Sequence, residues 1–193
     1  MAKKLRRVYQ LKIGLKGSKP PIWRRFLTVD TIRLDELHML LQVVMGWTDS
    51  HLHQFTCRGT AYGVPDPEYD LMDMEVLDET KFRLNQLLKN EKESIGYEYD
   101  FGDGWIHKIT LEKILPFDTE QTIPVCVKAK GACPPEDVGG TWGYYDFLEA
   151  LEDKNHPEHE SYQEWIGGDF DPLAYDIEKV NEALFEFRRV FNN

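Results

Sequence analysis

The stretch Ile95-Gly96-Tyr97-Glu98-Tyr99-Asp100-Phe101-Gly102-Asp103-Gly104-Trp105-Ile106-His107-Lys108-Ile109-Thr110-Leu111 reads as two strands joined through Gly102-Asp103-Gly104. Its period decides how they pair. Side chains alternate between the two faces of a strand, so a slip of one residue moves the whole set to the other face. A two-residue turn at Asp103-Gly104 would mix Glu98 and Asp100 with Trp105, Ile109 and Leu111 on one face. A three-residue loop instead sets Phe101 opposite Trp105, Tyr99 opposite His107, Tyr97 opposite Ile109 and Ile95 opposite Leu111. One face is then apolar except for His107, and the other carries a Glu98–Lys108 pair. The expected loop therefore has three residues, with Gly104 in the left-handed conformation that costs glycine little.

Upstream, Val8–Lys16 alternates as well, with Tyr9, Leu11, Ile13 and Leu15 on one side and Gln10, Lys12 and Lys16 on the other. Gly17-Ser18-Lys19-Pro20-Pro21 reads as a turn into a second strand, Ile22–Val29. The period then changes. Leu34, Leu37, Leu41, Val44 and Met45 fall on one helical face of 34–45, Asp35 and Glu36 sit where the helix dipole favours negative charge, and Gly46 ends the segment. His51–Cys57 reads as a short strand carrying His51, His53, Phe55 and Cys57 on one face, 58–75 as a surface excursion, and 81–90 as weakly helical. After Pro124 the chain reads as loop through Gly140, followed by helices near 144–151, 157–165 and 177–191. The last carries Val180, Leu184, Phe187 and Phe191 on one stripe, with Asp176 as N-cap. Strands first and helices last predict an α+β fold. The expected sheet is mainly antiparallel, with hairpins 8–29 and 95–111, covered by helix 34–45 and the C-terminal helices.

The 193 residues fit one domain spanning 1–193, and the 41% hydrophobic and 30% charged composition is that of a globular chain. The charge is lopsided. Residues 1–25 hold nine basic groups and no acid, while the remaining 168 hold 14 basic and 34 acidic groups. A net charge of −11 argues against a protein that coats nucleic acid with its whole surface, but leaves room for a local basic face. The charged start, Met1-Ala2-Lys3-Lys4-Leu5-Arg6-Arg7, leads into an alternating segment rather than an apolar leader, and no run reaches membrane-span length, so the expected location is cytoplasmic. Cys57, Cys126 and Cys133 form no C-x-x-C pair, and free thiols are expected.

Three blocks stand out from this generic pattern. The first is Pro20-Pro21-Ile22-Trp23-Arg24-Arg25 with Leu37-His38, Gly46-Trp47 and His51-Leu52-His53-Gln54-Phe55. The second is the Tyr97–His107 run quoted above. The third is Cys133-Pro134-Pro135-Glu136-Asp137-Val138-Gly139-Gly140 with Gly143-Tyr144 and His156-Pro157-Glu158-His159. In this order they are similar to the plasmid pRiA4b ORF-3-like family over nearly the whole chain. The resemblance implies a compact α+β domain of bacteria and archaea, sometimes carried on mobile elements, with some relatives beside insertion sequences under a resolvase label. That label does not transfer. Serine recombination needs an activated hydroxyl among arginines, and Ser18, Ser50, Ser94 and Ser161 lie in no helix-borne arginine cluster.

Two chemistries compete. Lys12, Lys16, Lys19, Arg24 and Arg25 could contact phosphates, or simply balance the acidic remainder of the fold. His51 and His53, at i and i+2 of one strand, could chelate a divalent metal such as zinc. Asp100, Asp103 or His107 would complete the set, and the metal-activated water would attack an ester or phosphodiester. Against this, aspartates flanking a tight turn ordinarily serve the turn, and His107 is expected in the core. Glu136 and Asp137 precede Gly139-Gly140, which could form an anion nest or a rigid loop. Ser50 and His51 point to opposite faces of a strand and make no catalytic pair, and no Gly-x-Ser-x-Gly elbow occurs. The favoured expectation is a non-enzymatic binding protein, without a cofactor, for a nucleic-acid or protein partner linked to mobile elements. A metal-dependent hydrolase is the alternative.

Overall fold

The computed structural model describes residues 7–65 and 76–191, with side chains through residue 187. In chain order the elements are β1 (Arg7–Leu15), β2 (Trp23–Val29), α1 (Leu34–Met45), β3 (His53–Cys57), β4 (Thr60–Gly63), β5 (Val76–Asp78), a 3-10 turn (Glu79–Lys81), α2 (Leu84–Leu87), β6 (Ser94–Tyr99), β7 (Trp105–Pro116), β8 (Val125–Lys130), α3 (Gly140–Glu152), α4 (His159–Ile166) and α5 (Ile177–Phe191). The eight strands form one sheet in the order β5-β4-β3-β6-β7-β1-β2-β8. Every pairing is antiparallel except β4 with β5. This is the α+β arrangement the sequence predicts.

The alternation of β1 has the consequence it should. Tyr9, Leu11, Ile13 and Leu15 are buried in the main core with Phe26, Ile95, Tyr97, Tyr99, Trp105 and Ile109. Helix α1 lays Leu34, Leu37, Leu40, Leu41, Val44 and Met45 onto the same core, each almost fully buried. Each such side chain contributes about 1.5–3 kcal/mol by leaving water. The helix starts with Glu36 accepting from the Arg33 N–H at 2.9 Å and ends on Gly46 at φ 107°. On the opposite face of the sheet, Val8, Leu27 and Ile123 make a small second cluster.

The hairpin register corrects the expected one. Tyr99 pairs with Trp105, Tyr97 with His107 and Ile95 with Ile109, so the connection is the five residues Asp100–Gly104. The apolar face is unchanged, because a shift of two preserves it. Lys108 consequently faces Gly96, and Glu98 accepts from Gln54 instead. The cause is Asp100, which takes φ 56° and folds the loop onto itself. Its Oδ1 accepts from the N–H groups of Gly102 (2.9 Å) and Asp103 (3.3 Å). Gly104 is left-handed, at φ 66°.

Four other expectations need amendment. The segment read as loop after Pro124 contains β8, an edge strand whose alternation is interrupted by a bulge at Arg25/Phe26. The surface excursion contains β4, paired with β3, while 66–75 lie outside the described residues. Only 84–87 of 81–90 is α-helical. Helix α3 begins at Gly140, four residues earlier than expected. In α5, Leu184 is buried and Val180 and Phe187 pack against the core; the side chain of Phe191 lies outside the described residues. Asp176 accepts from the Lys179 N–H as a cap. Asn181 reaches across to β8, accepting from the Cys126 N–H at 2.7 Å and donating to its carbonyl at 3.0 Å. All three cysteines are free.

Candidate metal centre

The loop after α1 is positioned by a closed polar network. Gln42 donates to the Tyr97 hydroxyl at 3.0 Å and accepts from the Asp49 N–H at 3.0 Å. If Tyr97 in turn donates to His38 Nδ1 (2.8 Å), His38 Nε2–H is left to donate to Asp49 (2.7 Å). This assigns the neutral tautomer, and burial, followed by the nearby His53, lowers the His38 pKa. Asp49 is held at φ 59°, turning the chain so that His51 leaves the strand path.

The three sequence blocks converge at this point. Trp47 Nε1 donates to the Pro134 carbonyl at 3.0 Å. Glu136 accepts from the Thr48 N–H and hydroxyl and from the Tyr99 hydroxyl, and the Ser50 N–H donates to that same tyrosine oxygen. Burial pushes Glu136 up, but the hydrogen bonds from Thr48 and Tyr99 outweigh it and leave the carboxyl below its ordinary range. Burial, then the bond to Glu136, pushes Tyr99 well above an ordinary phenol. The hairpin tip is tied in by the Gly139 N–H, which donates to Asp103 Oδ2 at 3.1 Å.

What this network leaves uncommitted is His51, one oxygen of Asp100, and Asp137. His51 Nε2 lies 3.7 Å from Asp100 Oδ2 and 3.3 Å from Asp137 Oδ1, and the three donor atoms all fall within 4.8 Å of one another. The nitrogen is buried and has no hydrogen-bond partner. Asp100 commits one oxygen to its loop and offers the other to the site. Asp137 is 73% exposed, leaving an open side. Donors bound at about 2.1 Å to one ion in a tetrahedral arrangement lie roughly 3.4 Å apart, so small movements bring this set to metal-binding distance. A nitrogen and two carboxylate oxygens suit zinc or manganese.

The other metal candidates lie elsewhere. His53 stacks on His38 with ring centroids 3.3 Å apart and meets Glu79 through Nε2 at 3.0 and 3.1 Å. The i, i+2 argument failed because β3 starts at His53, and the Leu52 carbonyl accepts from Asp100 N–H instead of continuing a strand from His51. Asp103 serves the Gly139 N–H. Asp137 was visible in the sequence only as a loop carboxylate beside two glycines, and no spacing rule ties it to His51.

His107 is a core residue, 0% exposed, edge-on to Trp47 and opposite Tyr97. Neither ring nitrogen meets hydrogen-bond geometry, although nearby backbone of Trp105 and Tyr97 slightly favours the charged form; burial dominates and holds the pKa down to about 3. In the unfolded chain the ring takes its ordinary value of about 6.5. Between those limits only the unfolded state binds the proton. The His107 contribution to stability is thus constant above about pH 6.5 and lost below it, by at most about 1.4 kcal/mol per pH unit. Urea titrations of wild type and His107→Leu from pH 7.5 to 4.5 are expected to diverge in that direction as pH falls, the wild type losing more. Parallel profiles would contradict the assignment.

The basic candidates also separate. Arg24 is fully buried, donating to the carbonyls of Val44, Trp23 and Lys130 and lying 4.1 Å from the centre of the Tyr175 ring. Arg25 makes a two-point pair with Glu112, and Lys12 stands 4.7 Å over Trp23. Those charges are engaged within the fold. Lys16 and Lys19 are exposed and make no ion pair among the described residues.

Fold and site together define an α+β protein on one eight-stranded sheet, with a histidine–dicarboxylate cluster, exposed on the Asp137 side, where its sequence blocks meet. The chain belongs to the plasmid pRiA4b ORF-3-like family, whose model matches residues 7–179. It is 41% identical over 179 residues to the uncharacterized protein y4hQ of Sinorhizobium fredii, covering 92% of this chain and 90% of that one. It is also similar to the crystal structure of a protein of unknown function, MM3350, from Methanosarcina mazei Go1, with a TM-score of 0.81 and 38% identity over 91% of this chain and 98% of that one. No helix among the described residues is long and apolar enough to cross a membrane.

Proposed function

We propose that this is a binding protein whose working element is a divalent metal ion held by His51, Asp100 and Asp137. The observation that supports the reading is the buried Nε2 of His51, which makes no hydrogen bond and faces two carboxylates, with all three donor atoms within 4.8 Å of one another. An unsatisfied buried nitrogen is costly, and a cation between it and the carboxylates removes that cost. Binding ranks ahead of metal-dependent hydrolysis because the neighbouring carboxylate suited to act as base, Glu136, already accepts three hydrogen bonds from Thr48 and Tyr99.

Calorimetric titration of metal-stripped protein with zinc and manganese is expected to show one saturable site. The melting temperature should rise accordingly, since ligand at a hundredfold over Kd stabilises by about 2.7 kcal/mol. His51→Ala and Asp137→Asn are each expected to weaken binding about tenfold or more, in keeping with a lost ligand. Asp169→Asn, an exposed acid elsewhere in the chain, serves as control. Absence of saturable binding, or unchanged affinity in His51→Ala, would reduce the cluster to an imidazolium paired with carboxylates.

A further inference from the structure

We propose that the surface around this cluster binds single-stranded nucleic acid, with Trp142 as the stacking platform and Lys16 and Lys19 as the phosphate contacts. The proposal rests on the cation reading above, for an electrostatic reason given below.

Trp142 is 88% exposed and has no ring or cation partner among the described residues. It stands in the first turn of α3, where a Cβ on Gly140 would lie 2.3 Å from the Asp103 carbonyl oxygen. Helix and hairpin tip are therefore in direct contact. Phe101, 42% exposed, lies on that tip beside Asp100, and Leu52, 57% exposed, lies beside His51. The lysines are fastened to the same helix. The Tyr145 hydroxyl donates to the Gly17 carbonyl at 2.8 Å and accepts from the Lys19 N–H at 2.6 Å, and a Cβ on Gly17 would lie 3.7 Å from Thr141 Cγ2. Two lysines without ion pairs among the described residues thus sit on a loop tied to the helix that carries the exposed indole. The first turn of α3 adds no acidic residue.

Exposed rings with a few lysines fit a single strand, whose bases stack on aromatics without regard to sequence. A duplex needs a broad basic face, which a chain of net charge −11 lacks. The carboxylates of Asp100, Asp103, Glu136 and Asp137 would repel a phosphate backbone unless a cation neutralised part of their charge. Binding should therefore depend on both salt and metal.

The test is fluorescence anisotropy of a labelled twelve-residue oligothymidylate, at low salt, with the manganese-loaded and metal-stripped protein. Wild type should bind only when loaded, and more weakly as salt rises. Trp142→Ala and Lys16→Glu/Lys19→Glu should each weaken binding about tenfold or more while leaving melting temperature and manganese affinity unchanged, as expected for stacking and phosphate contacts. Manganese binding without oligonucleotide binding would overturn this proposal and leave the cation reading intact. Equal affinity in Trp142→Ala would overturn it as well. Preference for duplex, or for an apolar peptide, would replace the partner named here. Oligonucleotide binding that ignores manganese, in wild type and Asp137→Asn alike, would overturn the linkage drawn here while leaving the cation reading to the calorimetric test.

Discussion

Arg24→Met is expected to lower the stability of the protein by about 3 kcal/mol, since each buried carbonyl that loses its donor costs about 1–3 kcal/mol. The guanidinium joins three elements. It donates to Val44 at the end of α1, to the carbonyl of its own neighbour Trp23 on β2, and to Lys130 at the end of β8, at 3.0, 3.1 and 3.0 Å. Two effects oppose. Burial lowers the pKa of Arg24, the mark of a charge enclosed without a carboxylate partner, and removing that charge recovers some desolvation energy. The carbonyl at the C-terminal end of α1 offsets part of that penalty already, because the helix dipole favours a cation there. The lost donors and the lost contact with Tyr175 therefore outweigh the recovery. Arg24→Lys should rescue little, because an ammonium cannot reproduce a planar fork aimed at separate carbonyls. Urea unfolding would decide: a methionine variant within about 1 kcal/mol of wild type would mean that the buried charge costs as much as its bonds return.

Gly143→Ala is the second large effect, and its sign runs against helix propensity. In an unhindered helix interior alanine is favoured over glycine by about 1 kcal/mol. Here a Cβ would stand 2.0 Å from the Val138 carbonyl oxygen and 2.9 Å from its carbon, both backbone atoms. Overpacking of this kind costs about 1–3 kcal/mol, so a net loss of about 2 kcal/mol is expected. The displaced carbonyl belongs to the residue after Asp137, so metal affinity should fall along with the melting temperature. Gly168, with nothing within 4 Å of a Cβ, provides the neutral comparison. A raised melting temperature in Gly143→Ala would show that the close approach relaxes without cost.

The fold was largely legible because its determinants are local. The alternation of Tyr9, Leu11, Ile13 and Leu15, the spacing from Leu34 to Met45, and Gly46 as the stop each act within a few residues, and the structure places all of them as that reading requires. The hairpin register was not recoverable from period. Tyr99 opposite His107 and Tyr99 opposite Trp105 both keep the aromatic face intact, and only the left-handed turn at Asp100 distinguishes them. Strand β8 hid for another reason: at a bulged edge only Cys126 is buried among its six residues, so no period survives.

The site was half legible. His51 and Asp100 were among the candidates, and both belong to the cluster. His53 was grouped with His51 because strand periodicity was assumed to run through Leu52, whereas that residue's carbonyl is taken by the hairpin. Asp103 and His107 were included because the hairpin was expected alongside, but Asp103 bonds to Gly139 and His107 lies in the core. Asp137 arrives from 37 residues beyond Asp100 on a loop held by Trp47 and Tyr99. Such a meeting is set by tertiary packing, which no local pattern encodes.

The outer rim of β8 carries a further consequence. One carboxamide, that of Asn181, occupies both backbone groups of Cys126 where a ninth strand would otherwise hydrogen-bond. Bare strand rims act as templates for other chains. If α5 peels away, this rim is freed, and a second copy could dock there strand to strand. How firmly the last helix stays in place then decides whether this rim remains covered.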